Sequence, residues 1–285
     1  MSKPIPKRHH YIPEMLQKRF VNDSGGLWFY SKERPDRGIV ATKPGNVFVE
    51  GHLYSSVEAD GSKNPALELH YSKVESLTDP IIEKMVLSAR SRRVPSLSPT
   101  ELEIWNHFFF YQQKRVPDFF GEIEDIKNFS DRIEEVLASL EAEIGRPIPA
   151  HLRQQVTDED AVERLKKNAI VGSLFDPATM VMEVLQARGL VIAVPRRETK
   201  SFVLGSNPMA RMGTRNGSSL GNPEVELWLP IAQDVAVTPY GRPGEVRIIV
   251  LEDFQIRKVN QGIFGRSTMM ASGSKDLIES LRAPR

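Results

Sequence analysis

The sequence predicts an α+β fold in which strands from the N- and C-terminal thirds form a mixed sheet packed on a helical middle region. Three observations predict it. The first 62 residues hold short aromatic and β-branched runs, GLWFYSK and HLYSSVE, set between Gly, Pro, Asn and Asp. Residues 64 to 190 carry apolar positions at helical spacing. From Gly189 onward the runs are strand-like again: LVIAVP, SFVLGS, EVELWLP and VRIIVLE. Residues 1–285 are read as a single α+β domain, with 119–168 as a helical hairpin or insertion within it.

The elements follow in order. A short helix is expected from Pro13 to Phe20, ahead of the first strands. In NPALELHYSKVESLTDPIIEKM, Leu67, Tyr71, Val74 and Ile81 form one helical stripe. SPTELEIWNHFFFYQQKRVP carries the clearest start signal: Ser98 can cap, Pro99 suits the first turn, and Glu101 completes a capping box. That helix should end near Val116, because Pro117 biases its predecessor away from helical geometry. Between 119 and 144, Phe120, Ile123, Ile126, Ile133, Val136, Leu137 and Leu140 recur at helical spacing, and a charged helix is expected over 157–168. Two further helices are expected over 253–265 and 274–282. Between them, FGRSTMMASGSK lacks the Gly-Lys-Ser/Thr ending of a phosphate loop and reads as a helix end and loop.

Composition excludes several chemistries. The 285 residues are 40% hydrophobic and 26% charged, enough to bury a core. No window approaches the roughly 18 apolar residues of a membrane span, and no apolar run follows the basic N-terminus, so a cytoplasmic protein with no membrane partner is expected. The absence of cysteine removes thiolate catalysis and Cys-ligated metal centres, so any metal must use His, Asp, Glu or carbonyl ligands. A net charge of +1 hides three basic clusters, at Lys3, Lys7 and Arg8, at Arg90, Arg92 and Arg93, and at Arg196 and Arg197. Each is either solvated surface or part of a phosphate footprint. HExxH, P-loop, GxSxG and dinucleotide motifs are absent.

Residues Phe108 to Tyr111 are consecutive aromatics that point around the whole helix, so that helix should be covered on most sides. Gln112 and Arg115, one turn apart, are then at least partly buried, and a buried guanidinium needs a carboxylate. The preceding helix offers Glu68 and Glu75. Seven residues place both on one helix face but about 10 Å apart along the axis, so each should meet a different partner. His9 and His10 are adjacent in an extended segment and point to opposite faces; we take His10 as the inward one.

HHYIP with LQKRF after it, GLWFY, Glu68 with Val74-Glu75, QQKRVP, SNP at 206–208 before LWLPI, and Val259-Asn260 come in a particular order. In that order the chain resembles a widespread microbial and fungal domain of unknown function whose members open on His-His-Tyr-Val-Pro. The resemblance covers nearly the whole chain. It implies polar positions at His9, His10, Glu68, Glu75, Gln112, Arg115, Asn207 and Asn260, and no reaction. Relatives tend to read Thr-Ser-Asp-Asn-Pro where this chain reads LGSNP, so Gly205 and Ser206 replace a serine and an aspartate. If that aspartate is a metal ligand in relatives, this chain is impaired.

Two readings of function remain open. In one, His10, Glu75, Gln112, Arg115 and Asn207 are catalytic and His9, Glu68 and Asn260 bind substrate. The protein is then a phosphodiesterase or nuclease-like hydrolase, using a divalent ion such as Mg or Mn on nucleic acid or a nucleotide. In the other, the same residues are a buried polar network, and the protein works by binding a partner without catalysis. Only the first requires the polar groups to open on a cleft.

Overall fold

The HHYIP segment opens the chain as a strand because its neighbour pairs with it. In the computed structural model, which describes residues 7–117, 126–176, 178–213, 221–222 and 224–283, β1 (Arg8–His10) runs antiparallel to β4 (Val49–Gly51). Between them lie α1 (Glu14–Gln17), prolonged by a 3-10 turn to Phe20, then β2 (Leu27–Ser31) and β3 (Val40–Thr42). The two-residue strands β5 (Ser56–Val57) and β6 (Lys63–Asn64) close the N-terminal part.

The middle is helical, as expected. Helix α2 (Ala66–Arg90) packs on α3 (Pro99–Lys114), whose start is the expected capping box. Ser98 Oγ accepts from the Glu101 N–H at 3.2 Å, and Glu101 Oε2 accepts from the Ser98 N–H at 2.7 Å. The helix ends with Arg115 as its C-cap. There follow α4 (Ile126–Ile144), α5 (Ala150–Thr157), α6 (Glu159–Phe175) and α7 (Thr179–Gln186). Phe120 and Ile123 of the expected 119–144 helix lie outside the described residues, as does Lys3. On α4 the apolar stripe is only partly covered: Leu137 is buried, while Val136 and Leu140 stay exposed. Helix α6 is tied to β5 by the Asn168 amide, which accepts from the Val57 N–H and donates to its C=O. No helix among the described residues is long and apolar enough to cross a membrane.

The remaining strands are β7 (Leu190–Pro195), β8 (Leu204–Gly205), β9 (Ala210–Met212), β10 (Glu226–Ala232), β11 (Val235–Pro239), β12 (Val246–Leu251) and β13 (Met269–Ser272), with α8 (Asp253–Arg266) before β13 and α9 (Lys275–Arg282) after it. Five of them form a sheet ordered β12-β7-β11-β10-β9, antiparallel except for β12 against β7. Every residue of β7 and β11 is buried, which explains their unbroken apolar runs. Strand β11 was not visible as a separate strand, because its turn from β10 is Gln233-Asp234 without the glycine that usually marks a tight hairpin.

A second sheet, β3-β2-β13-β8, joins the two ends of the chain. Met269 pairs with Ser31 and Ala271 with Phe29. This confirms the expected association of N- and C-terminal strands and corrects the expectation of a loop at FGRSTMMASGSK, whose Met269–Ser272 is the central strand that makes the connection. Gly205 permits the close approach of β8 to the end of α8. A Cβ there would lie 2.3 Å from Ser267 Oγ and 2.5 Å from Ile263 Cγ2.

Candidate functional site

The β1–β4 pairing decides which histidine turns inward. Alternation along β1 leaves Arg8 exposed, His9 fully buried and His10 half-buried. The expected orientation is therefore reversed: His9 is the inward residue, and His10 Nε2 lies 3.0 Å from the Gly45 C=O. His9 Nδ1 accepts from the Tyr54 backbone N–H at 2.9 Å, and its ring stacks on Tyr54 with centroids 5.7 Å apart. A nitrogen that accepts an N–H carries no proton of its own. Glu68 Oε2 stands 3.8 Å from the same nitrogen, too far for a hydrogen bond.

Gln17 and Arg19 of LQKRF fix the approach to β1. The buried Gln17 amide donates to the Ile12 and Val47 carbonyls at 2.8 and 3.2 Å and accepts from the Gly45 N–H at 2.9 Å. Arg19 reaches α2 through Asp79 at 2.6 Å and Glu83 at 2.5 Å.

Arg115 is the hub. Its side chain is 1% exposed, and Nη1 donates to Glu75 Oε1 at 2.7 Å while Nη2 donates to the His10 C=O. The guanidinium lies 4.8 Å from the Tyr71 ring centroid and 5.6 Å from that of Tyr54. The Tyr54 hydroxyl in turn donates to the Arg115 C=O at 2.8 Å. One residue thus links β1, the 52–55 turn, α2 and α3. As the spacing on α2 required, Glu75 meets the arginine and Glu68 sits one level away, beside His9.

Electrostatics separate the two carboxylates. Burial pushes the Glu68 carboxyl up to about 7; the opposing field of Arg115 is too weak to restore it, and Glu75 adds to the rise. Burial likewise raises the Tyr54 and Tyr71 phenols above their ordinary value of 10.0. Glu68 is therefore a carboxyl able to exchange a proton near neutral pH.

The corner also gathers unpartnered polar atoms. Among the described residues, eight buried side-chain nitrogen or oxygen atoms lack a hydrogen-bond partner. Six of them are Gln112 Oε1 and Nε2, Arg115 Nε, Tyr71 Oη, His52 Nδ1 and Ser55 Oγ. Sequence reasoning named Gln112 and Arg115 but missed Tyr54, Tyr71, His52 and Ser55. Tyr71 was read as part of an apolar stripe and Tyr54 as part of a strand. The available signal was that a tyrosine packed beside a buried arginine brings a hydroxyl needing a partner.

Asn207 and Asn260 bond elsewhere. The Asn207 N–H donates to Ser267 Oγ at 3.1 Å, and its C=O accepts from that hydroxyl at 3.0 Å. Asn260 Oδ1 accepts from the Val203 N–H at 3.0 Å, and Nδ2 donates to the Ser201 C=O at 2.9 Å. None of these bonds joins them to His9, Glu68, Glu75, Gln112 or Arg115. Ser206 accepts from the Thr268 and Met269 N–H groups at 3.0 and 3.1 Å. Its oxygen holds β8 to the start of β13.

Among the described residues no three His, Asp or Glu side chains converge on a point where an ion could sit. His9 Nδ1 is taken by Tyr54, and Glu75 is taken by Arg115.

No curated protein and no solved structure matches the chain. A family model does match, over residues 8–240, which include the His-His segment, both α2 glutamates, Gln112, Arg115 and Asn207. The chain belongs to the family described as protein of unknown function DUF4238.

Proposed function

We propose that the corner formed by His9, Glu68, Glu75, Gln112 and Arg115 is a hydrolytic site for phosphodiesters, with nucleic acid or a nucleotide as substrate class. The carrying observation is the concentration of unpartnered buried polar atoms on Gln112, Arg115, Tyr71, His52 and Ser55. A network that serves only to hold a fold pairs its members, because each orphan costs about 1–3 kcal/mol. Donors and acceptors kept for a ligand stay unpaired until it binds, and since these atoms are enclosed the corner must open to admit one.

The chemistry assigned to the chain's own residues is acid–base. Glu68 as carboxylate takes the proton of the attacking water as its oxygen bonds to phosphorus. Glu68 as acid returns that proton to the oxygen leaving phosphorus. Arg115, oriented by Glu75, and the Gln112 amide stabilise charge on the phosphoryl oxygens. No step assigned to these residues runs through a metal ion.

A second reading, the buried network of a non-enzymatic binding protein, is favoured by one observation: His9 and Arg115 are sealed, at 0% and 1% exposure. The two readings separate in one experiment. Single-stranded DNA, RNA, cyclic nucleotides and a nitrophenyl phosphodiester are incubated with the protein in magnesium, manganese or EDTA. Turnover that persists in EDTA and is lost in Glu68→Gln at unchanged melting temperature is expected. No turnover on any substrate under any condition favours the network.

A further inference from the structure

Arg90 and Arg92 of one basic cluster and Lys200, just beyond another, line one cavity at a place the proposed hydrolytic site does not use. A cavity of about 440 Å³ lies between the C-terminal end of α2, the end of β7, the 196–201 loop and the β10–β11 turn. Arg90, Arg92 and Lys200 line it together with Thr199, Ser201 and Gln233, and Glu198 and Asp234 are its acids. Twenty-two residues of α2 separate Arg90 from Glu68, about 33 Å along the helix axis, so this is a separate place on the molecule.

The loop that forms one wall is held rigidly. Arg196 pairs with Glu252 at 3.1 Å and Arg197 with Asp253, both at the start of α8. The Lys200 N–H donates to the Arg197 C=O at 3.0 Å, and the Ser201 C=O accepts from the Asn260 amide. Arg196 and Arg197 are thus consumed in fixing the loop, and Lys200 is not. Across the cavity, Asp234 grips Arg90 through two bonds of 2.7 and 2.9 Å, so that pair cancels. Arg92 and Lys200 remain. Both are exposed, and among the described residues neither forms an ion pair.

Arg92 occupies an unusual backbone position. Helix α2 ends in a Schellman motif, with the Arg92 N–H on the Ala89 C=O at 3.0 Å and the Arg93 N–H on the Ser88 C=O at 2.9 Å. The residue that closes this motif is left-handed, here with φ of 55°, where glycine is the usual choice. Arg92 thus brings an arginine side chain to the cavity from a backbone position where glycine is the usual choice.

We infer that this cavity binds a phosphate group, through Arg92 and Lys200 as its two cations, with the Thr199 and Ser201 hydroxyls and the Gln233 amide as neutral donors. The phosphate belongs either to a nucleic-acid backbone or to a free nucleotide. The inference stands independently of the hydrolytic reading.

Binding of a fluorescein-labelled oligothymidylate to the full chain is followed by anisotropy over a series of salt concentrations, with pyrophosphate and ATP as competitors. Arg92→Gly relieves the left-handed strain, so it should fold at least as stably as the parent. It should still weaken binding about 3- to 10-fold and reduce the slope of log affinity against log salt by about 1. Lys200→Ala should do the same, while Glu198→Gln, which removes the opposing carboxylate, should tighten binding about 2-fold. Competition by ATP and pyrophosphate assigns the site to free phosphates; binding of the oligonucleotide alone assigns it to a backbone. Failure of every probe to bind overturns the inference, as does unchanged affinity and salt slope in both Arg92→Gly and Lys200→Ala.

Discussion

Arg115 Nη1 donates to Glu75 Oε1 at 2.7 Å, with the arginine side chain 1% exposed and the glutamate 24% exposed. The pair is asymmetric: the cation is sealed between α2, α3 and β1 and the anion reaches the surface. Arg115→Ala should destabilise by about 3–5 kcal/mol, since it removes the link to the His10 carbonyl and the contacts to Tyr54 and Tyr71 as well as the ion pair. Arg115→Lys keeps the charge but loses the fork, and should recover only part of the loss. Denaturant midpoints measure both, and an Arg115→Ala midpoint within error of the parent would remove Arg115 as the hub.

The two histidines should respond unequally. His9→Ala leaves a cavity against the Tyr54 ring and strips the buried Tyr54 N–H of its acceptor, a cost of about 3 kcal/mol. His10→Ala loses one half-buried bond to the Gly45 C=O and should cost less than about 1 kcal/mol. Thermal melting of the two variants side by side checks this; equal shifts would contradict the inward placement of His9.

Glu68 predicts a pH dependence with a definite sign. Its carboxyl titrates at about 7 in the fold against an ordinary 4.5, so folding favours the protonated form. The stability it contributes is complete below pH 4.5 and is lost as pH rises through 7. Over that window the parent should lose stability relative to Glu68→Gln by up to about 1.4 kcal/mol per pH unit, the value for one proton. Arg115, Glu75 and His9 face the group in the parent, and their coupling to its charge is part of the difference measured. Parallel profiles for the two proteins would mean that Glu68 titrates normally.

Ser206 offers a test of how β8 is held to β13. Its hydroxyl oxygen accepts two backbone N–H groups, a task that an aspartate carboxylate performs equally well. Ser206→Ala should cost about 2 kcal/mol, while Ser206→Asp should hold the melting temperature near that of the parent. A Ser206→Asp protein that melts as low as Ser206→Ala would show that the oxygen is not needed as an acceptor. Asn260→Ala should also destabilise, since it frees the Val203 N–H and the Ser201 C=O together.

Much of the architecture is local and therefore legible in the chain. The capping box at Ser98 and Glu101, the end of α3 before Pro117, the apolar runs of β7 and β12 and the burial demanded by Phe108 to Tyr111 depend on neighbours within a few residues. The seven-residue spacing of Glu68 and Glu75 already required two different partners. Tertiary structure decided what depends on distant pairing. Met269–Ser272 becomes a strand because Leu27–Ser31 and Leu204–Gly205 stand on either side of it, and a short run of Met, Ala and Ser carries no such signal alone. His9 turns inward because β4 fixes the register of β1, and a shift of one residue would exchange it with His10. The roles of Tyr54 and Tyr71, and the placing of Arg92 and Lys200 around one cavity, depend on residues 17 and 108 positions apart, which no local pattern encodes.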